Sequence, residues 1–224
     1  MIGWIILALI AAFVLVLLVR AAQFRPQDPD YGPKADVTIN AEQAVDHLAQ
    51  MVRIPTVSNE DPAKMDEGIF QSFRDLLPQL YPHVFQTCTY ERVDHTGLLF
   101  TWKGRSSDQP TVLMAHYDVV PVVADQWQHP PFCGQVFDGA LWGRGTLDTK
   151  ITLMGILESA EALIQQGFVP QHDVYFSFGG DEEVNGPAAP AAVALLRSRG
   201  IQPAFVVDEG GAVVQGVFPG VSHS

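Results

Sequence analysis

Val112-Leu113-Met114-Ala115-His116-Tyr117-Asp118-Val119-Val120-Pro121 is the stretch on which the reading of this chain turns. An apolar run meets a histidine and, two positions later, an aspartate. A short apolar run of this kind reads as a buried strand. The polar pair then falls at the strand's C-terminal end, where open α/β sheets place their ligand sites. Imidazole and carboxylate are common ligands of zinc and related cations. A core histidine bonded to a nearby aspartate would leave the same trace, so the pair alone does not separate packing from metal binding.

Around this strand, helical and extended patterns alternate. Asn40 followed by Ala41–Val52 reads as a capped amphipathic helix, broken by Ile54-Pro55-Thr56-Val57-Ser58. A second helix is expected within Glu67–Leu80, disturbed by Pro78, and strands over residues 84–92 and 98–103. Residues 149–166 give the most regular helix: Ile151, Met154, Gly155, Leu157, Ala160 and Leu163 share one side and Gly167 stops it. A strand over 172–178, a helix over 187–199 and a further buried strand over 204–207 come next. The expected fold class is α/β, a mixed, largely parallel sheet with helices on both faces and an apolar helix before it. There is no internal repeat.

Three more acidic positions recur where this order places strand or loop ends. Asp148 stands at the start of the regular helix, Asp181-Glu182-Glu183 comes after Gly179-Gly180, and Asp208-Glu209 precedes Gly210-Gly211. Each alone reads equally as a helix cap or a solvated turn. Together, converging carboxylates repel one another unless cations hold them. One histidine with several carboxylates and no cysteine motif suits one or two divalent metals in a nitrogen and oxygen environment. Gly143-x-Gly145 is not a dinucleotide fingerprint, because Asp148 stands where the third glycine belongs. There is neither a P-loop nor a Gly-x-Ser-x-Gly elbow.

Composition narrows the class further. The net charge of −12 argues against a nucleic-acid partner. Two cysteines, Cys88 and Cys133, make no disulfide framework and are expected as free thiols. Residues 2–19 are apolar without interruption, closed by Arg20, with no basic residue before them and no strong cleavage site after. An uncleaved transmembrane signal anchor over residues 1–22 is expected in preference to a cleaved signal peptide, with a linker over 23–39. Arg20, Arg25 and Lys34 favour a cytoplasmic C-terminal side by the positive-inside rule. Asp28, Asp30 and Asp36 dilute that signal, and the catalytic domain is expected on the extracytoplasmic side.

The ordered motifs His116-Tyr117-Asp118-Val119-Val120-Pro121, Trp142-Gly143-Arg144-Gly145 with Asp148-Thr149-Lys150, Asp181-Glu182-Glu183 and Asp208-Glu209-Gly210 resemble the M20 family of metallopeptidases. They are most similar to its carboxypeptidase S branch. The resemblance runs from about Ala41 to the end of the chain, and it implies a role for each motif residue. His116 binds a metal and Asp118 acts as its catalytic partner, orienting the imidazole. Asp148 bridges two ions, commonly zinc, Glu182 is the general base, Glu183 is a ligand, and Asp208 is a ligand with Glu209 as the alternative. The resemblance also implies a cis Asp148–Thr149 bond. The substrate implied is an amide beside a free carboxylate, either a peptide C-terminus or an N-acyl amino acid, and the parent protein is compatible with a homodimer.

The family pattern includes a further histidine ligand far downstream, beyond an inserted lid or dimerisation domain. His223 stands too early to fill that role. Residues 40–224 are therefore expected to be the N-terminal part of a catalytic domain, in a fragment inactive alone. Two rivals stand beside this reading. One is a non-catalytic, membrane-tethered truncated domain. The other is a mononuclear iron oxygenase, disfavoured by the helix after Asp148 and by the Glu182-Glu183 pair.

Overall fold

The computed structural model describes residues 2–24 and 40–210. Most of the expected linker, and His223, lie outside them. The chain divides into two units, residues 1–38 and 39–224. The first holds helix α1 (Ile2–Gln23), whose stretch Gly3–Gln23 is long and apolar enough to cross a membrane, with a mean hydropathy of 2.9. No polar face interrupts it, as a lipid-facing helix requires.

The second unit opens with α2 (Ala41–Val52), capped as its sequence requires: the Asn40 side chain accepts from the Gln43 backbone N–H. Helix α3 (Glu67–Leu80) comes next, with Pro78 inside its last turn, and then α4 (Pro82–Thr87). The strand expected over residues 84–92 is thus corrected, since β1 covers only Thr89–Val93. Pro82 at the first helical position favours a helix start. The Glu161 carboxylate then accepts from the free N–H groups of His83 and Val84, at 3.1 and 2.9 Å.

Strands β2 (Gly97–Trp102), β3 (Ser106–His116), β6 (His172–Gly179) and β7 (Phe205–Val207) complete a five-stranded sheet in the order β1-β2-β6-β3-β7. The β6–β3 and β3–β7 pairings are parallel, and the two involving β2 are antiparallel. A hairpin of β4 (Gln135–Phe137) and β5 (Ala140–Trp142) turns on Asp138-Gly139, both at positive φ, the residues such a turn demands. Helix α5 spans Ile151–Gln165 and α6 spans Ala188–Ser198.

Side chains alternate across the sheet. Leu98, Phe100, Trp102, Ala115, Phe176 and Phe178 enter the larger core with α2, α3, α4 and α5, while Leu99, Val112 and Tyr175 meet Ala192 and Leu196 of α6 on the other face.

Two further expectations change. Helix α5 begins at Ile151, not at 149, because Asp148 and Thr149 hold non-helical dihedrals in the turn Thr146–Lys150. The strand over 204–207 is not buried: Phe205, Val206 and Val207 are 62%, 51% and 42% exposed. It is a short edge strand, paired to β3 alone among the described residues.

Candidate metal centre

Parallel pairing brings the C-terminal ends of β3 and β6 level, with His116 opposite Gly179. The residues at or just past each strand end therefore gather at one edge: His116 and Asp118 from β3, Glu182 and Glu183 from β6, and Glu209 from β7. The turn before α5 adds Asp148. Gly145 makes that turn fit. Its φ is +85°, and a Cβ there would lie 2.5 Å from Val119 Cγ1. The Asp148–Thr149 bond is cis.

His116 is the hub. Its ring is buried, and Nε2 lies 2.9 Å from Asp148 Oδ1, 3.5 Å from Glu209 Oε1 and 3.8 Å from Glu182 Oε2. On the other side, Nδ1 faces the Asp118 main-chain oxygen at 3.1 Å and its Oδ1 at 3.3 Å. Two sets of donors come within 4.8 Å of one another: His116, Asp148 and Glu183, and His116, Glu182 and Glu209. The Asp148 and Glu182 side chains are more than half exposed, so the cluster opens to solvent on that side.

Asp118 does more than face the imidazole. It is fully buried, and its two carboxylate oxygens accept from the backbone N–H groups of Glu182 and Glu183, each at 3.1 Å. One carboxylate therefore fixes the histidine ring and both glutamates together. Asp181 closes the same loop from behind, accepting from Ala188 N at the start of α6 at 3.3 Å. Asp208 stands outside both donor sets, with Oδ1 accepting from the Glu209 N–H at 2.9 Å.

The electrostatics are a consequence of this crowding. Burial alone would depress the His116 pKa, but the hydrogen bond and charge of Asp118, with Glu209 and Asp148, push it up to about 9. Glu183 is raised by burial first and by Asp148 next, although His116 opposes the shift. Glu209 is raised for the same first reason, again against His116. The site thus takes up protons where it holds no other cation. Its one nitrogen and several oxygens are the donor chemistry of a divalent metal such as zinc. Binding would displace the proton from His116.

Fold and donor set define a metallopeptidase-type α/β core. The chain belongs to the peptidase family M20/M25/M40, whose model matches residues 112–222. Among curated relatives, the N-fatty-acyl-amino acid synthase/hydrolase of Homo sapiens is 35% identical over 222 residues, covering 96% of this chain and 44% of that one. Carboxypeptidase S of Saccharomyces cerevisiae is 32% identical over 217 residues, covering 88% and 37%. Human carnosine dipeptidase 1 shares the fold at a TM-score of 0.63 and 18% identity, over 78% of this chain and 40% of that one. The chain spans less than half the length of the curated relatives it matches.

Proposed function

We propose that the whole protein is a metal-dependent hydrolase of amide bonds beside a free carboxylate, and that residues 40–224 supply the N-terminal part of its catalytic domain. The observation that carries this is the cluster at the strand ends: one buried histidine with Asp148, Glu182, Glu183 and Glu209 gathered about it. The substrate class draws on the names of the relatives, an N-fatty-acyl-amino acid synthase/hydrolase and a carboxypeptidase. A peptide C-terminus and an N-acyl amino acid both present that bond. Helix α1 would serve as a membrane anchor, its catalytic domain on the extracytoplasmic side.

His116 Nε2, Asp148 and Glu183 would hold one zinc ion. Asp148 would bridge to a second, with Asp208 or Glu209 as ligand. Glu209 is the better supported of these two, because its carboxylate reaches the donor cluster and that of Asp208 is in neither set. A single Nε2 lone pair serves one ion, so the second position draws mainly on carboxylates among the described residues. The metal, when bound, polarises the scissile carbonyl and acidifies the attacking water.

The protein's own groups do the rest. Asp118 holds the imidazole through Nδ1, leaving Nε2 free to ligate. Glu182 takes the proton of the attacking water on a side-chain oxygen and returns it to the nitrogen of the leaving amine. Asp118 also holds the Glu182 backbone, while the Glu182 carboxylate itself stays exposed.

The test is amide hydrolysis by the whole protein, loaded with zinc, on an N-acyl amino acid and a short peptide. Glu182→Gln should retain its metal and lose about 10²–10⁴-fold in rate. Full activity in that variant removes the base assignment, and no hydrolysis of either substrate by the unsubstituted protein removes the function.

A further inference from the structure

Lys150 is fully buried, yet it is not in the donor sets. Its Nζ donates to Met51 O at 3.1 Å and Ile54 O at 2.8 Å, carbonyls at the end of α2, and lies 5.2 Å from the centre of the Phe73 ring. Each carbonyl also accepts one backbone N–H, Met51 O from Ile54 at 3.2 Å and Ile54 O from Thr56 at 3.0 Å, and the helix end carries the negative pole of its dipole, so a cation there is well placed. Burial depresses the ammonium to about 7, and the charge of Asp118 works against that.

The carbonyls that the ammonium holds lead back to the metal centre. Ile54 begins a strap over residues 54–58 that is zipped to the segment after β3. Thr56 Oγ1 donates to Tyr117 O at 2.5 Å, Val119 N to Thr56 O at 2.9 Å, and Ser58 N to Val119 O at 3.2 Å. Lys150 also closes the turn that carries Asp148, its backbone N–H donating to Gly145 O at 3.0 Å. One side chain therefore ties the Asp148 turn to the strap, and the strap is bonded to both residues flanking Asp118.

We infer that Lys150 is a positioning residue that sets the separation of Asp148 from His116, acting through the carbonyls of Met51 and Ile54 and the strap over residues 54–58. This rests on the proposed metal centre. A lysine that merely filled space would stabilise the fold without altering how tightly the folded site binds an ion. A positioning lysine alters that affinity, and does so along one path.

The experiment titrates cobalt(II) into the metal-free whole protein and reads its visible absorption, with Lys150→Met, Thr56→Val and the double variant beside the unsubstituted protein. Circular dichroism establishes that each is folded. Each single substitution is expected to weaken cobalt binding about tenfold, the lower end for residues that orient a ligand from behind. The double variant is expected to be little weaker than either, because both break the same path. Cobalt affinity unchanged in the folded variants, or losses that multiply in the double variant, overturn the inference. If Lys150→Met does not fold, Thr56→Val decides it: unchanged affinity there overturns it, and a tenfold loss upholds it. An unsubstituted whole protein that binds no cobalt overturns the metal-centre reading, and this inference falls with it.

Discussion

Two histidine and carboxylate clusters sit in the same domain, and they are built on different arithmetic. At the ends of β3 and β6, the single His116 faces Asp118, Asp148, Glu182 and Glu209. Across the larger core, helix α5 presents Glu158 to His47 of α2 and Glu161 to His83 of α4, one histidine for each acid. The paired cluster is self-sufficient. Glu161 also accepts two backbone N–H groups, and the His47 ring meets Tyr81 edge-on at 5.2 Å. The crowded cluster has more negative charge than its own residues compensate, which is what a cation site looks like before the cation arrives. Residue type alone does not separate the two; the ratio of acids to histidines does.

The largest effect should come from the hub. His116→Ala removes the only nitrogen in both donor sets and should weaken cobalt binding by more than about 100-fold, beyond the range for residues that merely orient a ligand. His47→Ala, at the paired cluster, should leave that affinity as it was. Equal losses from both, in a cobalt titration of folded protein, would erase the distinction.

A smaller effect, of the opposite kind, is expected from Glu161→Ala. It strands the His83 and Val84 N–H groups at the start of α4, one of them buried. Urea unfolding should show a loss of about 1–3 kcal/mol. Cobalt affinity should hold; a fall alongside the stability would mean that the paired cluster serves the metal.

The smallest effect lies at the surface, where Arg199 forms a two-pronged pair with Glu91, at 2.5 and 2.8 Å. The hydrogen bond to Arg199 is the main cause that lowers the Glu91 pKa, against a little burial. A carboxylate depressed in the folded state contributes stability above its unfolded pKa and loses that contribution as pH falls through the folded one. Because the Glu91 and Arg199 side chains stay partly exposed to solvent, Glu91→Gln should cost under about 1 kcal/mol at pH 7, less at high salt and nothing once the pH lies below the lowered value. A larger loss, or one that survives at that low pH, would show that the pair matters more than its exposure allows.

Much of this was readable from the chain. Pattern and residue type placed α2, α3, β2, β6 and α6 within about two residues, whereas the apolar run marked only the C-terminal half of β3, which starts at Ser106. Where the residues serve two patterns, the reading failed. Val84 and Phe85 suit a strand by type, but Pro82 and the distant Glu161 carboxylate make them helical. The apolar composition of β7 cannot tell whether anything covers it. The Asp138-Gly139 turn carried a signal that would have found the β4–β5 hairpin.

In the site, His116, Glu182 and Glu183 gather because the parallel strands β3 and β6 end together, and Asp148 is brought in by the turn before α5. Choosing between Asp208 and Glu209 needs the course of the backbone after β7 ends at Val207, which the sequence does not carry. The role of Lys150 is invisible in one dimension, since Met51 and Ile54 lie about a hundred residues away.

The exposed edge strand has a consequence of its own. Glu209 is carried two residues beyond β7, the least supported part of the sheet, while His116 is rooted in its middle. Two ions, one held by His116 and one by Glu209 with Asp148 shared between them, would together act as a staple across that seam, binding only the closed arrangement and so stabilising it as metal concentration rises. The sheet margin would then be a sensor of metal supply, and slower amide hydrogen exchange in β7 than in the metal-free chain would be its readout.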